Sequence, residues 1–246
     1  MSALGAQVRA ETYMTLRRGE TLLLTIGIPV VFLVFFSTVH VVSTGQQSQV
    51  DFLVPGILSL AVMSTAMVSL GIATGFERGY GVLKRLGTTP LGRPRLLGAK
   101  ITTVLLVELA QAAVLLPVGL ALGWNPGGPG GSGGSAAAAV GLILLATVAF
   151  AGLGLAMAGV LRPEVNLAAA NGLYLVFLLI GGMVVPLAKL PSGLREVAKL
   201  LPPAALSQGL HAALGSAQGV PTSSWVVLAV WAVLTPTVAA LTFRWE

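Results

Sequence analysis

Apolar and polar residues alternate along this chain in long blocks instead of with a strand or surface-helix period. Six apolar runs stand out, at 22–42, 53–76, 96–122, 136–161, 167–185 and 225–243. Each is near or above the roughly 20 residues that cross a hydrocarbon core, so the pattern predicts six membrane-spanning helices. The first run carries no charge but follows Arg17 and Arg18, as a signal peptide would. A signal peptide has an apolar core of only about 7–15 residues, so a retained span is expected, kinked at Pro29. His40 near its end reads as an interfacial side chain.

The segments between the runs carry their own patterns. In 2–20, Leu4, Val8, Thr12 and Leu16 recur near one helical face, with Arg9, Tyr13 and Arg17 across from them. A helix lying in the interface is expected there. Glu11 on the apolar side breaks the pattern, and a frayed terminus is the alternative. In 186–224, Leu194, Val197, Ala198 and Leu201 follow an i, i+3, i+4, i+7 spacing, and Leu206, Leu210, Ala213 and Leu214 suggest a second helix after Pro202 and Pro203. These two helices either dip into the outer leaflet or rest on its surface. Gly71 and Gly75, flanked by Ser64, Thr65, Ser69 and Thr74, make a small-residue face suited to close helix contact. The glycine-rich stretch 123–135 reads as a flexible linker and lacks the lysine of a phosphate loop.

Composition narrows the class. The chain is 246 residues long, 55% hydrophobic and 9% charged, against about 25% charged in soluble domains. An all-α polytopic membrane protein is expected, forming one transmembrane domain over 1–246. The net charge of +6 does not imply nucleic acid, because the basic residues sit at the ends of apolar runs without interleaved aromatics. With the N-terminus inside, eleven of the fourteen Lys and Arg residues fall on the cytoplasmic side; Lys189, Arg195 and Lys199 fall outside. That bias places both termini and the loop 77–95 in the cytoplasm of a cell-membrane protein. With no cysteine, thiol chemistry and disulfides are excluded.

The loop 77–95 is the long polar break between two strongly apolar runs. Val82, Leu83 and Leu86 give it a short apolar face; Arg78, Lys84 and Arg85 give it charge. Gly79, Gly81, Gly87 and Pro90 limit any helix to a few turns. Such a segment either transmits force between the helices that flank it or is a solvated basic loop.

Within it Glu77, Arg78, Gly81, Leu83, Leu86, Thr89 and Pro90, with Lys100 following, match the pattern E-R-x-x-G-x-L-x-x-L-x-x-T-P. On these residues, the six-run layout, the N-terminal helix and the helical pair before the last span, the chain resembles the ABC-2 type permeases, including the daunorubicin-resistance type. The resemblance implies the membrane subunit of an ATP-driven exporter, as in multidrug efflux and antibiotic resistance. Its loop would form a coupling helix that docks on a separate nucleotide-binding ATPase subunit. Docking is then assigned to Val82, Leu83 and Leu86, polar recognition to Arg78, Lys84 and Arg85, and Glu77 is expected to pair with a nearby cation.

ATP and Mg would be held by that partner subunit. None of Lys84, Lys100, Lys189 and Lys199 follows a glycine, so this chain contains no phosphate loop and no cofactor of its own is expected. Two permease chains, identical or homologous, would enclose the path of a small hydrophobic or amphipathic drug, natural product or lipid-like substrate among membrane lipids.

Glu108 falls near the middle of the third run, where an ionised side chain costs about 2.5–3.5 kcal/mol. Gln111 shares its face. The pair either lines the dimer interface or substrate path, or is hydrogen-bonded between helices. Asn166 and Asn171, at the cytoplasmic start of the fifth run, are weaker candidates, and a residue such as Asn171 more often bonds a neighbouring helix. Lys100 is expected to snorkel, and the four tryptophans, Trp124, Trp225 and Trp245 among them, to anchor at interfaces. The alternative function is an ion-gradient-driven secondary transporter, which would place several buried polar groups on broken helices. A membrane enzyme is disfavoured, since His40 and His211 are the only histidines.

Overall fold

The computed structural model describes residues 3–17, 19–39, 48–87, 92–127, 134–215 and 219–242. Every regular element among them is helical. In chain order they are α1 (Ala3–Arg17), α2 (Gly19–Thr38), α3 (Gln49–Met63), a π-helical segment (Ser64–Ser69), α4 (Leu70–Gly79), α5 (Val82–Gly87), α6 (Gly92–Ala121), α7 (Ala136–Val160), α8 (Pro163–Ile180), a 3₁₀ turn (Leu187–Lys189), α9 (Ser192–Lys199), α10 (Pro202–Gly215) and α11 (Thr222–Thr242).

Among the described residues, five stretches are long and apolar enough to cross a membrane: Gln49–Gly79, Arg95–Ala121, Ala136–Val160, Pro163–Ile180 and Thr222–Thr242. The first expected span corresponds to α2, whose apolar part, Thr25–Thr38, is shorter than these five. His40 and Trp245 lie outside the described residues.

Local chemistry sets the boundaries. Ser48 and Ser135 cap α3 and α7 by accepting from the N–H groups of Asp51 and Ala138. The fifth expected span, 167–185, is displaced: α8 begins at Pro163, whose fixed φ suits a first helical position, and Glu164 lies in its first turn. It stops at Ile180 because Gly182 turns the chain with φ +70°. The continuous rod α3–π–α4 has 31 residues, about 46 Å at 1.5 Å per residue. That exceeds a hydrocarbon core of about 30 Å, so the rod is longer than an untilted span needs.

This rod is the centre of the bundle, and most of its residues are buried. Phe150, Ile57, Met63, Met67 and Leu142 belong to the continuous core it forms with α7 and its neighbours. Helix α7 crosses the rod at glycine: a Cβ on Gly154 would come within 2.4 Å of the Met67 carbonyl oxygen, and one on Gly71 within 3.0 Å of the Gly154 carbonyl. The small-residue face is therefore spent inside the chain. Asn166 fastens α8 to the same face, its Nδ2 donating to Gly71 O at 2.8 Å.

Helix α10 is packed inside the bundle against α3, α7 and α11, with Pro202 to Ser207, Gly209, Leu210 and Ala213 all buried. A Cβ at Gly209 would touch the Leu142 side chain, which lies six residues into α7, about 9 Å from its end. Of the segment 186–224, α9 remains peripheral, with Leu194, Val197 and Leu200 exposed. Trp124 departs from the expected interfacial role: it is 6% exposed and joins the core. Trp225 packs partly buried against that core, and Trp231 Nε1 donates to Leu200 O at 2.9 Å.

Candidate functional site

Helix α4 ends in a tight turn. Gly81 adopts φ +71°, a conformation open to glycine at little cost, and its N–H donates to Arg78 O at 3.0 Å. The chain reverses there into the short α5 and then enters α6. Below this turn, Lys100 Nζ from α6 lies 2.6 Å from Glu77 Oε2 on α4 and 3.3 Å from Glu11 Oε1 on α1. Lys100 is 3% exposed, so the ammonium does not snorkel to water; it is consumed by two carboxylates. Gln7 Nε2 holds the same Glu11 oxygen at 3.0 Å. Glu11 sits on the apolar side of α1 because Lys100 lies there.

The cation expected beside Glu77 is thus Lys100, and Arg78 is used differently from expectation. Its guanidinium donates to the carbonyl oxygens of Gly159 and Leu161. These belong to the end of α7, where the last carbonyls have no intrahelical donor and a cation is favoured. Arg78 is therefore bound within the chain.

The short helix divides into two faces. Leu83, assigned to docking by the resemblance, is fully buried and seats α5 on the bundle. Val82, Lys84 and Arg85 are exposed on the other face, joined by Tyr80, 75% exposed and stacked on Phe76 with ring centroids 6.0 Å apart. Leu86 lies within α5, while Thr89 and Pro90 fall outside the described residues. Tyr80 was not singled out by sequence pattern; an aromatic ring between two glycines of a turn was the available signal.

The polar residues of the spans are mostly internal. Glu108 is 6% exposed and accepts from Thr147 Oγ1 at 2.6 Å, bridging α6 and α7. Gln111 is 1% exposed and bonds to Thr65 and Thr25. Both are held between helices of one chain, so neither lines an open path. Asn171 is exposed and donates to Leu167 O of its own helix at 2.9 Å. It does border a groove of about 340 Å³ between α2, the π segment and α8.

The arrangement can do mechanical work more readily than covalent chemistry. A small exposed surface stands on a turn whose base is tied by charge to α1, α4, α6 and α7. Comparison with curated proteins finds none that matches the chain. The sequence pattern described as ABC-2 type transporter matches residues 3–214. Covering most of the chain, the match carries through the bundle, the braced turn and α10: this protein belongs to the ABC-2 type transporter family and is a permease component of an ABC transporter.

Proposed function

We propose that the chain is the membrane subunit of an ATP-driven exporter for hydrophobic or amphipathic molecules. The surface made by Tyr80, Val82, Lys84 and Arg85 faces the cytoplasm and receives a separate ATPase subunit, which holds ATP and Mg. Two permease chains, identical or homologous, enclose the cargo's path.

The observation that carries this reading is the double ion pair Glu11–Lys100–Glu77. It joins both flanks of α5 to α1, so a push on α5 is carried into three helices at once. ATP drives transport only if its binding differs in free energy between two arrangements of the membrane half. A docked partner that displaces α5 supplies that difference.

The test is reconstitution of the chain with its ATPase subunit in proteoliposomes loaded with a lipophilic fluorescent dye. Export that needs hydrolysable ATP and survives an uncoupler supports the reading. An ion-gradient mechanism draws on one observation, the second carboxyl oxygen of Glu108, buried without a partner among the described residues. Efflux that survives ATP depletion but stops with uncoupler would select that mechanism instead.

A further inference from the structure

Pro29 lies inside α2. A proline has no N–H for the carbonyl four residues back, and here that carbonyl is Thr25's. Gln111, reaching across from α6, donates its Nε2 to Thr25 O at 2.9 Å. Its other end, Oε1, accepts from Thr65 Oγ1 at 3.1 Å. Thr65 is the second residue of the π segment, where the helical ladder shifts its register.

The chemistry fixes which end of the amide is which. A carbonyl oxygen only accepts, so the amide nitrogen must face Thr25, and the hydroxyl of Thr65 can then donate to the amide oxygen. One buried side chain thus bridges the carbonyl that loses its helical donor at Pro29 and a π segment on another helix. In hydrocarbon the freed carbonyl finds no water, and a donor that meets it is strongly favoured.

These two irregular places also form one wall of the 340 Å³ groove. Thr25, Pro29 and Ser64 line it on one side; Asn171, Tyr174 and Leu178 of α8 line the other. We propose that Gln111 is a positioning residue that locks α2 at Pro29 to the π segment and thereby sets the width of the groove between α2 and α8. Because Gln111 belongs to α6, which also holds Lys100 on Glu77 near the end of α4, movement at α5 would reach the groove through it. That last link rests on the proposed function; the control of groove width does not.

The chain has no cysteine, so spin labels can be placed at Ile28→Cys and Leu175→Cys, both on the groove. Distances are read by pulsed dipolar spectroscopy on the full chain in lipid nanodiscs. The labelled parent should give one narrow distance distribution, and Gln111→Leu should lose it for a broad one. Adding Pro29→Ala returns a helical donor to Thr25 O and should restore a single narrow distribution. A simple packing defect at position 111 would not be repaired by a change on α2. Thr65→Val removes only one arm of the bridge and decides the matter if Gln111→Leu does not fold; it too should broaden the distribution.

Unchanged distributions in Gln111→Leu or, where that fails to fold, in Thr65→Val would overturn the proposal, as would failure of Pro29→Ala to narrow the double variant. In proteoliposomes, Gln111→Leu should lose ATP-driven dye export while the ATPase rate persists. If the parent shows no ATP-dependent export while its groove still responds to Gln111, the exporter reading fails and this inference stands.

Discussion

Lys100 and Glu77 are 23 residues apart in sequence and 2.6 Å apart in space. Their contact closes the loop that contains α5, because Glu77 stands at the end of α4 and Lys100 near the start of α6. Glu11 adds α1 to the same ammonium at 3.3 Å. Without this ion pair the end of α4 and the start of α6 would lose the charged tie that joins the two flanks of α5.

The first prediction concerns the cost of breaking that tie. Lys100→Met removes the cation shared by the buried Glu11 and the partly buried Glu77. Removing one partner of a fully buried pair costs about 3–5 kcal/mol, and the partial exposure of Glu77 makes the loss here smaller. Glu11→Gln removes the longer of the two contacts and keeps a polar group, so it should cost less. Thermal unfolding in detergent measures both; equal melting temperatures for Lys100→Met and the parent would contradict the assignment.

A second prediction separates two glycines of the spans. At Gly154 a Cβ would meet the Met67 carbonyl oxygen at 2.4 Å, whereas at Gly172 nothing lies within 4 Å. Gly154→Ala must push α7 away from the rod, at about 1–3 kcal/mol. Gly172→Ala should be neutral or stabilising, since alanine favours a helix by up to about 1 kcal/mol. Relative melting temperatures in the opposite order would show that α7 does not cross the rod at Gly154.

The pH dependence should be read at His211. Burial lowers its pKa, against the upward pull of two backbone carbonyls, Ser207 O at 2.6 Å from Nδ1 and Phe52 O at 2.9 Å from Nε2. A histidine depressed in the fold stabilises it fully above its unfolded value of 6.5, and that contribution is lost as pH falls from there through the lower folded value. Melting temperature should drop as pH is lowered below 6.5, and His211→Gln should remove that part of the drop. An identical pH profile in the variant would exclude His211 as its source.

Leu83 and Val82, adjacent in α5, should respond oppositely to the same change. Leu83→Asp places a charge where no solvent reaches, a mechanism that severely destabilises folds. Val82 is 41% exposed, and Val82→Asp should leave the chain folded. Size-exclusion profiles of the two purified variants check this, with a monodisperse Leu83→Asp as the contrary result.

Much of the bundle was legible because membrane spans are declared by uninterrupted apolar length, which depends on nothing distant. Gly79, Gly81, Gly87 and Pro90 were equally visible as limits on the length of any helix in the loop. Pairings across helices were not. Lys100 read as a snorkelling cation because its two carboxylates lie on other helices, and Glu11 read as a flaw in an amphipathic face for the same reason. Leu83 belonged to an apolar face whose occupant could be the chain's own bundle or a partner, and a helix of six residues is too short for periodicity to choose. Glu108 and Gln111 were recognised as costly polar groups, yet their acceptors and donors depend on where α2, α7 and the π segment pass. The π segment itself leaves no pattern in an apolar run.

The account stands most directly on whether the exposed face of α5 receives an ATP-hydrolysing subunit. Co-purification of the full chain with an ATPase identified by its own phosphate-loop sequence, compared between the parent and the folded Val82→Asp, Lys84→Glu double variant, measures this. The parent should retain the ATPase and the variant should lose most of it. Equal retention by a variant that remains folded in the membrane would contradict the claim.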